Sequence, residues 1–425
     1  MNRFKIEQTS YVAAHPKVRQ ASLTRLLLLT GLCLLLGAFN MRPALTSLAT
    51  VLADVDQDLG AGRLWSGIIT TAPVLCFGIF GPIAPWLAGR LGLERTIALL
   101  LLLLFTGLAL RSQASAGGLI VSTLIAGAAI GMAGVLLPVV IRRDFPDRAG
   151  IATGLYTMAM SIGGASAAGF TPTLERMTGS WTSALAIWSL PALATALAWG
   201  GLTLVSHRAA RMARLPHFST LLRDRMAWNV TAFMGLQAGL AFIVLGWLPT
   251  LLRARGYGGT EAGVVTSISI LAQTITALLV PAMAARRISS APLVLLVLGA
   301  TIAGFLGLLY APVVGRIFWA LVLGLGQGGL FGLALLFISL RSPSAEAAAM
   351  LSGMSQSIGY LGASLGPFAI GILRGLGEGS EGPITFFLAI AALCTMFGLR
   401  AAKPSFVLTR SADVRQRPRA VDAFR

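Results

Sequence analysis

Residues 26–52 read LLLLTGLCLLLGAFNMRPALTSLATVL, an apolar run holding a single charge, Arg42. A helix needs about 20 predominantly apolar residues to cross the hydrocarbon core of a bilayer, so this run is long enough to span. Counted from Leu26, Arg42 lies about 24 Å along the axis at 1.5 Å per residue, just past the middle of a helix of roughly 40 Å. A charge at that depth costs about 2.5–3.5 kcal/mol on insertion scales, so it is rarely kept without a role. Pro43 follows it. Proline pushes the preceding residue off helical geometry and cannot donate to the carbonyl of Phe39, so a kink with a freed carbonyl is expected beside the guanidinium. No other ionisable group is expected in a membrane core. A buried arginine without a buried carboxylate suits something anionic or strongly dipolar.

The rest of the chain repeats this apolar pattern. Of 425 residues, 56% are hydrophobic and only 11% are charged, where soluble domains carry about 25% charged residues. The mean hydropathy is +0.81. Twelve spans fit, near 26–52, 64–88, 96–111, 118–141, 150–172, 182–205, 228–252, 262–285, 291–311, 315–340, 346–373 and 383–402. The first run is too long for the apolar core of a signal peptide and reads as a retained span. The net charge of +18 raises nucleic acid as a partner, but its distribution excludes that reading. With the N-terminus placed inside, cytoplasmic segments hold 25 Lys/Arg and 8 Asp/Glu, and outer segments 7 of each. Basic residues on alternate loops set topology, so both termini are expected in the cytoplasm.

The two halves align at an offset of 196 residues. Gly67, Thr70, Pro85 and Arg90 match Gly263, Thr266, Pro281 and Arg286, and Ser161-Ile162-Gly163 matches Ser357-Ile358-Gly359. Duplicated sets of six spans indicate two pseudo-symmetric bundles enclosing a midplane site. The expected organisation is an N-terminal tail 1–25, a bundle 26–205, a cytoplasmic linker 206–227, a second bundle 228–403 and a basic tail 404–425. At the same offset Arg42 corresponds to Ala238, next to Gln237, so the facing half offers a neutral amide.

Several stretches carry a family resemblance: Asn40-Met41-Arg42-Pro43-Ala44-Leu45-Thr46, Thr70 to Gly78 (TTAPVLCFG), Ala84 to Arg95 (APWLAGRLGLER), Phe233 to Gln237 (FMGLQ), Gly246-Trp247-Leu248-Pro249 and Met354 to Tyr360 (MSQSIGY). On these the chain resembles the major facilitator superfamily and, within it, the cyanate/nitroimidazole transporter family. The resemblance implies an all-α protein of twelve transmembrane helices, working by alternating access in the bacterial inner membrane. The superfamily's loop after span two usually carries an Asp before the Arg, and here that place is Gly89. Arg90 and Arg95, with Glu94, Arg143 and Asp144, are expected either as an inward-side latch or as ordinary loop charge.

Arg42 heads the candidate substrate contacts, because its planar fork of donors fits small oxyanions and similar groups. The alternative is a structural salt or carbonyl contact. Thr46 shares its helix face one turn on, while Asn40 lies about half a turn away. Gln237, Gln273, Gln327 and Gln356 are amides in apolar runs and need partners, either substrate or neighbouring helices. Gln237 and Gln327 gain weight because spans one, four, seven and ten line the cavity in the superfamily. Tyr156, and Tyr360 at i+4 from Gln356, are aromatic candidates on spans five and eleven. Trp65, Trp181, Trp188, Trp228 and Trp319 near span ends read as an interfacial belt, and Asp54, Asp56 and Asp58 as a solvated outer loop.

No Asp, Glu or His stands out within a span as a proton carrier, so coupling is expected to pass through the substrate. Cys33, Cys76 and Cys394 have neither disulfide nor metal spacing, and no catalytic set, phosphate loop or cofactor motif is present. The expected activity is transport, not catalysis, of a cyanate-like anion or nitro-heteroaromatic. Its expected partners are a small solute and the lipid bilayer, acting as a monomer. The alternative is an exporter of drugs or metabolites from the same superfamily.

Overall fold

The computed structural model describes residues 16–205, 218–285, 290–376 and 381–407. Most of the expected N-terminal tail, the linker to residue 217, the matching Arg286 and the basic tail from 408 lie outside these residues. The fold is all-helical. The first span is broken in two, α1 (Pro16–Phe39) and α2 (Pro43–Leu59), and the second is α3 (Arg63–Phe80) followed by α4 (Ala84–Leu91). Then come α5 (Leu93–Ala109), α6 (Ala116–Asp144), α7 (Ala149–Thr178), and the pair α8 (Trp181–Ala186) and α9 (Ser189–Val205). The C-terminal half holds α10 (Arg225–Ala254), α11 (Gly259–Ala285), α12 (Ala291–Tyr310), α13 (Arg316–Leu340), α14 (Ala345–Leu376) and α15 (Glu381–Ala401). α1 begins ten residues before the apolar run, because Pro16 at the first helical position starts a helix that the run continues.

Among the described residues, 11 segments are long and apolar enough to cross a membrane. α7, 30 residues long, is not one of them, since Ala, Gly, Ser and Thr dominate it in place of large aliphatics. Such residues let helices approach closely. A side chain at Gly163 would collide with the carbonyl of Phe39, the group Pro43 leaves unbonded. A side chain at Gly359 of α14 would press on the backbone of Gly235 in α10 in the same way. Both members of the second pair lie 196 positions after those of the first. The sequence offset is thus an offset of helix contacts too.

Two faces organise the rest. The ends of α4, α6 and α15 and the starts of α5, α7 and α14 define the terminal face, and the loops after α2, α7 and α10 define the opposite face. The tryptophans are not a simple belt. Trp65, Trp181 and Trp188 are buried. Trp181 donates to Asp58 Oδ2 at 2.8 Å and Trp188 to Thr171 Oγ1 at 2.9 Å. An indole whose N–H finds a partner on a neighbouring helix gains by burying its ring.

Candidate substrate-binding site

Arg42 occupies the break between α1 and α2. It is the residue before Pro43, with φ −109° and ψ −27°, and its carbonyl accepts from the Leu45 and Thr46 amides at 3.0 and 3.1 Å. Its side chain lies along α7, where a Cβ at Gly164 would stand 3.0 Å from the Arg42 Cβ. The guanidinium crosses to the other half and donates from Nη1 to Gln273 Oε1 at 3.4 Å. Gln273 Nε2 donates to Gln327 Oε1 at 3.2 Å, and Gln327 Nε2 to the carbonyl of Leu240 at 3.4 Å. A chain of neutral amides on α11 and α13 therefore meets the charge. Among the described residues no carboxylate forms an ion pair with Arg42. The residue is partly buried.

Tyr156 and Tyr360 lie near Arg42 and near each other. Tyr360 closes a trio of rings with Phe77 of α3 and Phe242 of α10. The centroids are 5.9 Å apart for Phe77–Phe242, 6.2 Å for Phe77–Tyr360 and 6.1 Å for Phe242–Tyr360. All three rings are partly accessible and span the boundary between the halves. Sequence reasoning missed Phe77 and Phe242, because a phenylalanine in an apolar helix is indistinguishable from core until its neighbours are known.

Other expected contacts are engaged elsewhere. Asn40 is buried against α9, donating to Thr195 Oγ1 at 2.9 Å and to the Leu36 carbonyl at 2.9 Å. Thr46 donates to the Arg42 carbonyl at 3.2 Å. The Gln237 amide donates to the Met234 carbonyl on its own helix at 3.1 Å. Gln356 donates to Ser352 Oγ on its own helix at 2.7 Å. On the terminal face Arg143 bridges Glu94 and Asp144, each at 2.7 Å, all on α5 and α6. Arg90 stacks on Trp86 at 4.2 Å, and Arg95 is exposed.

Among the described residues, an ionic contact between the halves lies on the opposite face. Asp54 at the end of α2, expected as solvated loop, pairs with Arg253 of α10, with a second hydrogen bond of 2.8 Å. Glu175, in the last turn of α7 beyond the apolar stretch, joins this pair. Burial and then the charge of Asp54 push its carboxyl up to about 7, against the opposing pull of Arg253. Nearby, Arg63 donates to the Arg374 carbonyl at 2.6 Å. Gly67 of α3 lies so close to α14 that a Cβ there would stand 3.0 Å from the Gly371 Cα. No residue of α7 before Ser161 is buried, yet contacts between the halves continue there: a Cβ at Gly154 would meet Leu278 of α11 at 3.5 Å, and one at Gly78 would meet Leu361 of α14.

A second arginine departs from expectation. Arg111, in the turn that follows α5, is fully buried. Its Nη1 donates to Ser47 Oγ of α2 at 3.4 Å.

A helical membrane fold in which an arginine of one half meets a chain of amides from the other is that of a solute carrier. The Major Facilitator Superfamily profile matches residues 27–367, and the chain belongs to that superfamily. It is 36% identical over 372 residues to an uncharacterized transporter, YycB, of Bacillus subtilis (strain 168), covering 87% of this chain and 91% of that protein. It is 31% identical to a 2-nitroimidazole transporter of Escherichia coli (strain K12), covering 89% and 96% of the two chains. The cyanate transport protein CynX of the same organism is 32% identical, covering 86% and 94%. Among solved structures, the nucleoside transporter NupG superposes with a TM-score of 0.68 at 17% identity, covering 88% of this chain and 98% of that one. The protein is a multi-pass bacterial inner-membrane carrier, a secondary transporter of small solutes and not an enzyme.

Proposed function

We propose that the protein moves a small anionic or strongly dipolar solute, a cyanate-like anion or a nitro-heteroaromatic, with Arg42 as the main binding group. The observation that carries this reading is the pairing of Arg42: a partly buried arginine whose contact with the other half is one long hydrogen bond to a neutral amide. A guanidinium has five donors, so most of its capacity is free for a ligand. The ligand would displace Gln273 Oε1, take the planar fork of Arg42, and leave Gln273 and Gln327 to orient its far side. The rings of Phe77, Phe242 and Tyr360 would hold a flat body beside the charge. The two Escherichia coli relatives, named for nitroimidazole and cyanate, fit both size and polarity. Within the superfamily this groups the chain with the cyanate/nitroimidazole transporters.

The same reading gives twelve spans in two six-helix bundles, a monomer with no nucleic-acid partner, and cytoplasmic termini. The Asp54–Arg253 pair then closes the outer side. Coupling passes through the solute itself. Uptake of a solute panel into proteoliposomes tests the assignment. Arg42→Ala should abolish flux, and Arg42→Lys should retain little, because lysine lacks the parallel donors. Full flux in both variants would remove Arg42 from the site.

A further inference from the structure

Arg111 stands about 27 Å from the start of α5, at the membrane edge by helix rise. Arginines there usually snorkel, laying the stem along apolar surface and the head in the interface. This one is fully buried, in the turn Leu110–Ser112 that packs on α6 and α8. A guanidinium cannot shed its proton to reduce the cost, and the effective penalty for a buried, unpaired ion is several kcal/mol.

Its hydrogen bonding is lopsided. Nη1 reaches Ser47, but Nε and Nη2 are buried without an acceptor. Those two atoms form one edge of the guanidinium, and their N–H bonds run parallel. Two other arginines fill that edge. Arg143 places Nε and Nη2 on the two oxygens of Asp144 at 3.0 and 2.7 Å. Arg341 places them on the carbonyls of Ala401 and Ala402 at 2.9 and 3.0 Å. Among the described residues no carboxylate forms an ion pair with Arg111.

We propose that the Nε–Nη2 edge of Arg111 is a binding site for a small monovalent anion of halide size, separate from the cleft at Arg42. Full enclosure selects a small, weakly hydrated ion over an oxyanion that needs further donors. The site also touches the transport machinery. Ser47, which meets Arg111, donates to the Pro43 carbonyl at 2.6 Å, so the same first turn of α2 carries both the Arg42 junction and the Arg111 contact. An ion here would fix α2 against α5.

The test uses the full-length protein in lipid nanodiscs, with chloride exchanged for gluconate at constant ionic strength. The melting midpoint should climb by about 2–5 °C as chloride rises a hundredfold, following the logarithm of its concentration. Arg42→Gln should keep this dependence and Arg111→Gln should lose it. Should Arg111→Gln fail to fold, Arg111→Lys retains the charge without the parallel edge and should need roughly tenfold more chloride. Crystals grown in bromide should show one anomalous peak on the Nε–Nη2 edge. Wild-type protein indifferent to chloride, an Arg111→Gln variant that keeps the full shift, or bromide absent from Arg111 would each overturn the proposal.

Discussion

The two faces of the molecule spend their charges differently. On the opposite face, Asp54 and Arg253 come from different halves and hold them together, with Glu175 beside them. On the terminal face, Glu94, Arg143 and Asp144 all come from the N-terminal half. Their pairing fastens α5 to α6. A cross-half pair is made and broken in every cycle that opens that face. A within-half pair moves with its own half and acts on stability. Position in the chain, not chemistry, separates a latch from a brace.

The largest effect that would break this contrast is steric. Gly371→Leu puts a side chain into the backbone of Gly67, so the opposite face should no longer close and flux should fall by more than about tenfold, with folding retained by size-exclusion profile. Next comes the latch. Asp54→Asn should favour the state open on the opposite face by about 1 kcal/mol, roughly fivefold, since the pair is partly solvent-screened. Thiol labelling of a cysteine at Ser267, which packs against Gly169, reads this as faster modification. Swapping the pair as Asp54→Arg with Arg253→Asp should restore the slow rate.

The brace should respond oppositely. Arg143→Ala should lower the melting midpoint by a few degrees, through lost ionic and hydrogen bonds, while labelling at position 267 stays at the wild-type rate. A raised rate would make the terminal-face cluster a gate.

The smallest effect is on pH. The Glu175 carboxyl sits at about 7 with the face closed, against an ordinary value of 4.5 when solvated. A raised value means the closed form binds the proton more tightly. Acid therefore favours closure: the contribution is full below about 4.5 and is lost as pH rises through about 7. Labelling at position 267 should slow on acidification across that window, and Glu175→Gln should flatten the profile.

Arg42 was legible from sequence because one charge in an apolar run has few explanations, and Pro43 located the helix break beside it. Gln273, Gln327, Tyr156 and Tyr360 were legible as polar groups in apolar stretches, but not as neighbours. Their convergence depends on how α7, α11, α13 and α14 rotate against each other. Asn40 and Gln237 carried the same polar signal and turned to helix contacts. Periodicity fixes a residue's face only relative to its own helix. Arg111 escaped for a different reason. At a span end, loop charge and buried charge read alike, and only packing against α6 and α8 separates them.

The neutral partner of Arg42 has an electrical consequence on the proposed reading. The empty cleft carries one uncompensated positive charge, and a bound monoanion cancels it. Membrane potential acts on a full elementary charge with about 2.3 kcal/mol per 100 mV, so it would act on the carrier returning empty and little on the carrier loaded with anion. A negative interior would hold the empty site facing inward. The voltage dependence of turnover would therefore lie in the reset of the cycle.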